Sequence, residues 1–217
     1  MKSAEIILKT LYYERKRFVL KKELEDLCKE HGINLDSIIK YFLERGYFIR
    51  VFRGIFYIRD PSEIKLKYIL YSAHEMIAEG MRFKGIDNWY FGMYSGLKYN
   101  NMTHEYFTSD FIINDSIYRE KPMKMNDAMF KFVKMKPSMF EFGVITEKTK
   151  NNITIRYSDK EKTVMDFAYL WKRNGKNISF IVSRVAEYIN QLDIEKMKKY
   201  AKHYPKWMEK LIGNLNG

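Results

Sequence analysis

The segment YFIRVFRGIFYIRD, residues 47–60, decides how the N-terminal part of the chain reads. Aromatic and β-branched residues flank Arg53-Gly54, which predicts a β-hairpin with those two residues as its loop. On that register Phe52 faces Ile55, Val51 faces Phe56, Arg50 faces Tyr57 and Ile49 faces Ile58. Side chains alternate across a sheet. One face is then Ile49, Val51, Phe56 and Ile58, wholly apolar. The other carries Phe48, Arg50, Phe52, Ile55, Tyr57 and Arg59. An apolar inner face with a basic, aromatic outer face is the pattern of a wing.

Upstream, Asn34 can cap a helix over Leu35 to Arg45 that stops at Gly46. Before it, Lys21 to His31 forms a helix with Leu24, Leu27 and Cys28 on one face and Gly32 as its stop. A first helix opens at Ser3, buries Ile6, Ile7, Thr10 and Leu11, and closes on Glu14-Arg15-Lys16-Arg17. Two helices joined by a short Gly-containing turn form a helix-turn-helix, and with the hairpin the first sixty residues read as a winged helix-turn-helix. In the third helix Leu35, Ile38, Ile39, Phe42 and Leu43 supply the core stripe. Asp36, Ser37, Lys40, Tyr41 and Arg45 are left outward. Ser37 and Lys40 are placed for base edges or phosphates, Tyr41 and Arg45 for the backbone. Lys21 and Lys22 open a helix where cations oppose the dipole, so a phosphate would explain them. Arg50 and Arg53 stand at the wing. The competing reading is a solvated basic face on a purely structural helical subdomain.

Downstream, Asp60-Pro61-Ser62 marks a boundary between a DNA-binding domain, 1–60, and a second domain, 61–217. The spacing of Leu66, Ile69, Leu70, Ala73, Met76 and Ile77 predicts a helix from Glu63 to Gly80, and Trp89 to Tyr99 reads as a shorter one. Candidate strands follow at Tyr106–Ile113, Met129–Met135, Met139–Ile145 and Ile153–Tyr157. Ser158 with Glu161 forms a capping-box pattern for a helix through Trp171. Ile178, Ile181, Val182, Val185, Ile189 and Leu192 mark another helix, and two short ones surround Pro205. Lys196, Lys198, Lys199, Lys202, Lys206 and Lys210 are expected to be exposed. The fold class is α+β: the winged helix-turn-helix, then a mixed α/β domain with a mainly antiparallel sheet.

The composition agrees. In 217 residues, 46% are hydrophobic and 16% aromatic, enough for a sizeable core. Thirty-nine Lys and Arg against 27 Asp and Glu give a net charge of +12, which favours a polyanionic partner. The N-terminus does not read as a signal peptide, and no apolar run approaches the roughly 20 residues of a membrane span, so a cytoplasmic protein without membrane contact is expected. Cys28 alone excludes an internal disulfide framework. No nucleotide-binding, zinc-protease or paired-cysteine motif occurs, and His31, His74, His104 and His203 are scattered. No catalytic residue, metal or cofactor is therefore assigned. Two weaker constellations are Asp110, Glu141 and Lys148, as a metal-dependent nuclease would need, and Met123, Met125, Met129, Met135 and Met139 as an adaptable surface or core filling.

Three phrases in order, RGYFIRVFRGIFYI, WYFGMYSGLKYNNMTHE and ITIRYSDKEKTVMDFAYL, resemble the AbiEi family of type IV antitoxins and transcriptional regulators over roughly residues 1 to 190. The family's central motif falls on Tyr90, Phe91, Gly92, Ser95, Gly96, Leu97 and Thr103, its late motif on Glu161, Lys162, Thr163, Val164, Met165 and Asp166. Two positions depart: Gly96 stands where the family usually has Ala, and Asn101 where it has a turn Gly. The resemblance implies a non-enzymatic autorepressor that binds inverted repeats in double-stranded operator DNA. It also implies counteraction of a nucleotidyltransferase-like toxin without a stable complex. One recognition module per chain then requires a dimer or paired monomers on a palindrome. Physically, Gly92, Ser95 and Gly96 read as small residues that let a helix approach a sheet, and Lys162 and Asp166 as a pair four apart on one helix face. The alternative function is an RNA- or nucleotide-handling enzyme whose basic surface holds substrate and whose second domain, for example through Asp166, does chemistry.

Overall fold

The computed structural model describes residues 2–215, apart from the side chains of Lys2, Ser3 and Asn214, as an α+β chain of two units, Met1–Gly85 and Ile86–Gly217. The first contains α1 (Lys2–Tyr13), β1 (Phe18–Leu20), α2 (Lys21–Glu30), α3 (Leu35–Glu44), β2 (Phe48–Phe52), β3 (Ile55–Ile58), α4 (Pro61–Lys65) and α5 (Ala73–Phe83). The expected Ser3 cap rests on a side chain outside those described. Asn34 caps α3 as expected, its Oδ1 accepting the Ser37 N–H at 2.9 Å. The strand β1, unforeseen because three residues carry no periodicity, completes a three-stranded antiparallel sheet in the order β1-β3-β2.

The hairpin differs from its expected register. Phe52 does pair with Ile55, but a bulge at Val51 shifts the rest, so Arg50 pairs with Phe56, Ile49 with Tyr57 and Phe48 with Ile58. Neither face of the sheet is open. Val19, Phe48, Phe56 and Ile58 pack with Ile7, Leu11, Leu24 and Phe42. On the opposite face Phe18 and Tyr57 meet Tyr71, and Phe18 meets Phe83. Helix α5 lies so close there that a Cβ on Gly80 would come within 2.5 Å of the Phe52 ring and 2.8 Å of Val51. The face expected to be basic and aromatic outward is thus covered, leaving Arg50 and Arg53 exposed.

That covering also moves the boundary from 60/61 to 85/86. The long helix expected from Glu63 is instead α4, an irregular stretch and α5. Glu63, with no exposed surface, is the reason. Its carboxylate accepts from Arg17 (3.0 Å), Tyr57 Oη (2.6 Å), Asp60 N (2.8 Å) and Leu70 N (2.7 Å), which binds residues 60–70 to the sheet.

The second unit comprises β4 (Trp89–Gly92), α6 (Tyr94–Tyr99), β5 (Asp110–Asn114), β6 (Met123–Met125), β7 (Ala128–Lys134), β8 (Val144–Lys148), β9 (Thr154–Ser158), α7 (Lys160–Arg173), α8 (Ile178–Ala186), α9 (Ile194–Ala201) and α10 (Trp207–Asn214). Its sheet, β6-β7-β5-β4-β9-β8, is mixed: β4/β5, β6/β7 and β8/β9 are antiparallel, β5/β7 and β4/β9 parallel. Trp89–Gly92, expected at the start of a helix, is a fully buried central strand. A short apolar run reads equally as either, and its neighbours decide. Met139 and Phe140, expected to begin a strand, belong to a 3-10 turn over Pro137–Phe140 before β8. The N-cap of α7 is Asp159 rather than Ser158, its Oδ1 accepting the Lys162 N–H at 2.8 Å. Met123, Met125, Met135 and Met139 are buried and fill the core.

Candidate nucleic-acid interface

Of the expected DNA-contacting residues, those at the start of α2 and α3 and at the hairpin turn come together. The backbone N–H of Lys21 donates to Gly54 O at 2.8 Å, which fixes the Arg53-Gly54 turn against the first residue of α2. Lys21 Nζ reaches Asp36 Oδ1 at 3.4 Å, which joins the start of α2 to the start of α3. Ser37 follows, exposed, with its backbone held by the Asn34 cap. Lys22 and Arg53 are exposed, with no carboxylate partner among the described residues. Lys21 is thus tied both to the hairpin turn and to the first turn of α3.

The remaining four are arranged differently. Lys40 lies one turn along α3 and only loosely opposes Glu44, at 3.9 Å with both side chains more than half exposed. Such a pair is worth little and yields readily to a phosphate. Arg45 caps α3, its guanidinium 5.8 Å from the Tyr41 ring centroid. Tyr41 is not outward. Half-buried, it packs against Phe42 and Tyr47 and lines, with Ala4 and Leu8 of α1, a cavity of about 290 Å³. Helical periodicity within α3 left it outward, and its packing with α1 is a contact between segments distant in sequence. Arg50 is exposed on edge strand β2, 5.7 Å from the Phe56 ring.

Two basic residues not assigned to the surface have structural work. Lys16 pairs with Glu23 (2.9 Å) and Glu14 (3.1 Å), and Arg17 with Glu63 (3.0 Å) and Asp60 (3.5 Å). Residues 1–85 hold 17 Lys and Arg against 12 Asp and Glu, and residues 86–217 hold 22 against 15, so the cationic surplus belongs to both units. In the second unit Lys198, Lys199, Lys202, Lys206 and Lys210 are exposed as expected. Lys196 is instead half-buried between Glu161 (2.7 Å) and Asp159 (3.0 Å).

The central and late motifs build fold contacts. Ser95 Oγ donates to Asp110 Oδ1 at 3.0 Å and accepts the Phe111 N–H at 2.8 Å, fastening α6 to β5. A Cβ on Gly96 would stand 2.6 Å from Thr163 Oγ1 and 2.7 Å from Ser158 Oγ. Asn101 holds φ +54°, a left-handed conformation that Asn tolerates better than other non-glycine residues. Lys162 and Asp166 are wholly buried, 3.5 Å apart. Asp166 accepts from Tyr90 Oη (2.7 Å) and Tyr204 Oη (2.6 Å), while Lys162 Nζ lies 4.1 Å from the Phe142 ring centroid. Burial pushes the Lys162 ammonium below its ordinary range, with Asp166 opposing. Burial, then the Asp166 charge, pushes both tyrosines well up.

The nuclease constellation does not assemble. Asp110 on β5 and Lys148 on β8 are three strand spacings apart, about 14 Å, and Glu141 is exposed beyond a 3-10 turn. Among the described residues no three His, Cys, Asp or Glu side chains gather as metal ligands. No helix among them is long and apolar enough to cross a membrane.

No family model matches the chain, and no curated protein does. Among solved structures it is similar to the crystal structure of the RV2827C protein from Mycobacterium tuberculosis, with a TM-score of 0.62 at 10% identity. The match covers 99% of this chain and 76% of that one. A likeness at this identity is one of fold.

Proposed function

We propose that the protein is a cytoplasmic DNA-binding transcriptional regulator, an antitoxin-type autorepressor of the AbiEi kind, whose first unit is a winged helix-turn-helix. The observation that carries this reading is the joining of α2, α3 and the hairpin turn through Lys21, Asp36 and Gly54. Helix α3 would lie in the major groove with Ser37 and Lys40 toward the bases. Lys21 and Lys22 at the start of α2, Arg45 and Arg53 would hold phosphates. Arg50 extends the basic surface along the edge strand. Tyr41, turned toward α1, serves the fold. The second unit would carry the antitoxin function toward a nucleotidyltransferase-like toxin, without a stable complex, and operator inverted repeats would engage a dimer or paired monomers.

Fluorescence anisotropy tests this on DNA from upstream of the protein's own gene, against a scrambled duplex of equal length at two salt concentrations. Tighter, salt-sensitive binding of the upstream duplex is the expected result. Equal affinity for both duplexes would reduce the surface to a nonspecific basic face. Binding to neither would direct attention to RNA or nucleotide substrates.

A further inference from the structure

Between α4 and α5 the first unit leaves a run of apolar side chains in the open. Leu66 is 67% exposed, and Tyr68, Ile69 and Leu70 between 36% and 43%. Lys65 and Lys67 are interleaved with them and are exposed too. Single apolar residues on a surface need no explanation, but a consecutive run marks an interaction site. The backbone of this run is held from within. The Leu66 N–H donates to Ser62 O at 2.9 Å, the Tyr68 N–H to Glu63 O at 3.1 Å and the Leu70 N–H to the Glu63 carboxylate at 2.7 Å. Arg59 donates to Tyr68 O at 3.2 Å. The wholly buried Glu63 thus fixes in place side chains that stay outside. Lys67 holds φ 56°, a left-handed conformation that glycine adopts freely and lysine does not.

The free charge around the run is cationic once its neighbours are counted. Asp60 is held by Arg17 (3.5 Å) and Ser62 (2.7 Å), and Glu63 by Arg17 (3.0 Å). Glu14, after α1, pairs with Lys16 at 3.1 Å. On α5, Glu75 accepts from the Ser72 N–H and hydroxyl, and Glu79 pairs with Arg82 at 2.7 Å. Arg59 is engaged by the carbonyls of Gly46, Glu63 and Tyr68. Lys65 and Lys67 have no carboxylate partner among the described residues. A surface that covers the run must therefore be apolar with an acidic margin. A second copy of the chain fits poorly, because it sets Lys65 and Lys67 against their own kind. A lipid surface fits poorly too: only Leu66 is more than half exposed, and stable anchoring takes a whole apolar helix face or two signals. With the Leu66, Tyr68 and Leu70 N–H groups already engaged, the run offers side chains rather than main-chain pairing.

We propose that residues 65–70 are a docking surface for a partner polypeptide that presents an amphipathic helix, its apolar stripe flanked by Asp and Glu. Apolar residues one helical turn apart cover Leu66, Tyr68, Ile69 and Leu70, and the flanking carboxylates meet Lys65 and Lys67. The run follows the end of β3 remote from the Arg53-Gly54 turn, so it and the proposed DNA contacts use different parts of the first unit. The proposal stands whether or not that unit binds DNA.

The test is fluorescence anisotropy of the peptide fluorescein-Leu-Glu-Glu-Leu-Phe-Glu-Asp-Leu-amide, titrated with the full chain. Saturable binding is expected, and a peptide of the same composition with its apolar stripe scrambled should bind about tenfold more weakly. Leu66→Ser/Ile69→Ser, at two exposed positions, should weaken binding about tenfold at an unchanged thermal midpoint. Lys65→Gln/Lys67→Gln should weaken it about fivefold and flatten its salt dependence. Lys67→Gly separates binding from folding: it relieves the left-handed conformation, so affinity should fall while the thermal midpoint does not. Absence of saturable binding, equal affinity for the scrambled peptide or unchanged affinity in either double variant would overturn the proposal. A dimer in sedimentation velocity that Leu66→Ser/Ile69→Ser dissociates would assign the run to a second copy. Tighter binding to phosphatidylglycerol vesicles, lost in the same variant, would assign it to a membrane. Either result overturns the polypeptide as occupant.

Discussion

At the scale of single residues, the small and buried polar side chains of the second unit carry sharp consequences. Gly96→Ala installs the residue usual in the resembled family, yet here its Cβ would press on the hydrogen-bonded Ser158 and Thr163 hydroxyls. It is expected to cost about 1–3 kcal/mol in urea unfolding, with partial recovery in Gly96→Ala/Thr163→Ala. Lys162 and Asp166 make an unequal pair. Removing Asp166 strands a buried ammonium among aromatic rings and two tyrosine hydroxyls without their acceptor, so Asp166→Ala should cost about 3–5 kcal/mol. Lys162→Met leaves Asp166 with both tyrosine donors and should cost far less. The reverse order in urea midpoints would show that the lysine, not the carboxylate, organises this cluster.

At the scale of elements, the first unit separates surface residues from those that hold it together. Arg53→Ala and Lys22→Ala should each reduce the salt slope of DNA binding by about 1 while leaving thermal stability unchanged. Tyr41→Ala should do the opposite, lowering stability by about 1–3 kcal/mol through lost packing against Tyr47 and α1. Glu63 ties the segment after β3 to the sheet, and Glu63→Ala removes the shared acceptor of four donors. Amide exchange should then accelerate first around Asp60 and Leu70, before the core strands. Uniform acceleration across the unit would mean that residues 60–72 do not behave as a separable clasp.

At the scale of the whole molecule, the ionisable network sets a pH window. Burial raises Glu161, but Lys196 and the Asp193 N–H outweigh it and hold the carboxyl below its ordinary 4.5. A carboxyl depressed on folding stabilises the protein above its unfolded value, and that contribution disappears as pH falls through the folded one. Tyr90 and Tyr204 lie well above 10, so they stay protonated in the folded protein while unfolded tyrosines ionise. Their contribution is complete below pH 10 and falls above it. Lys162 runs the other way: its depressed value means that stability is regained as pH rises toward the ordinary 10.5. Urea midpoints are therefore expected to form a plateau at neutral pH that falls below about pH 4.5. Lys162→Met should deepen the alkaline fall, because the compensating group is gone.

Much of this was legible in order along the chain. Asn34 and Gly46 bound α3, Gly32 ends α2, and the Arg53-Gly54 turn is local chemistry that any context would respect. The α+β class follows from the same local signals, because helical and strand periodicities are properties of neighbouring residues. Other features needed the tertiary structure. Trp89–Gly92 is a strand because β5 and β9 supply its hydrogen bonds, and β1 exists because β3 offers an edge. The half-burial of Tyr41 against α1 and the covering of the hairpin by α5 arise between segments distant in sequence. Local propensity comes from a few adjacent backbone torsions, and the sequence determined that much by itself. Which faces are buried, and which polar groups find partners, is settled only when remote elements exclude the same water, and the tertiary structure alone decided it.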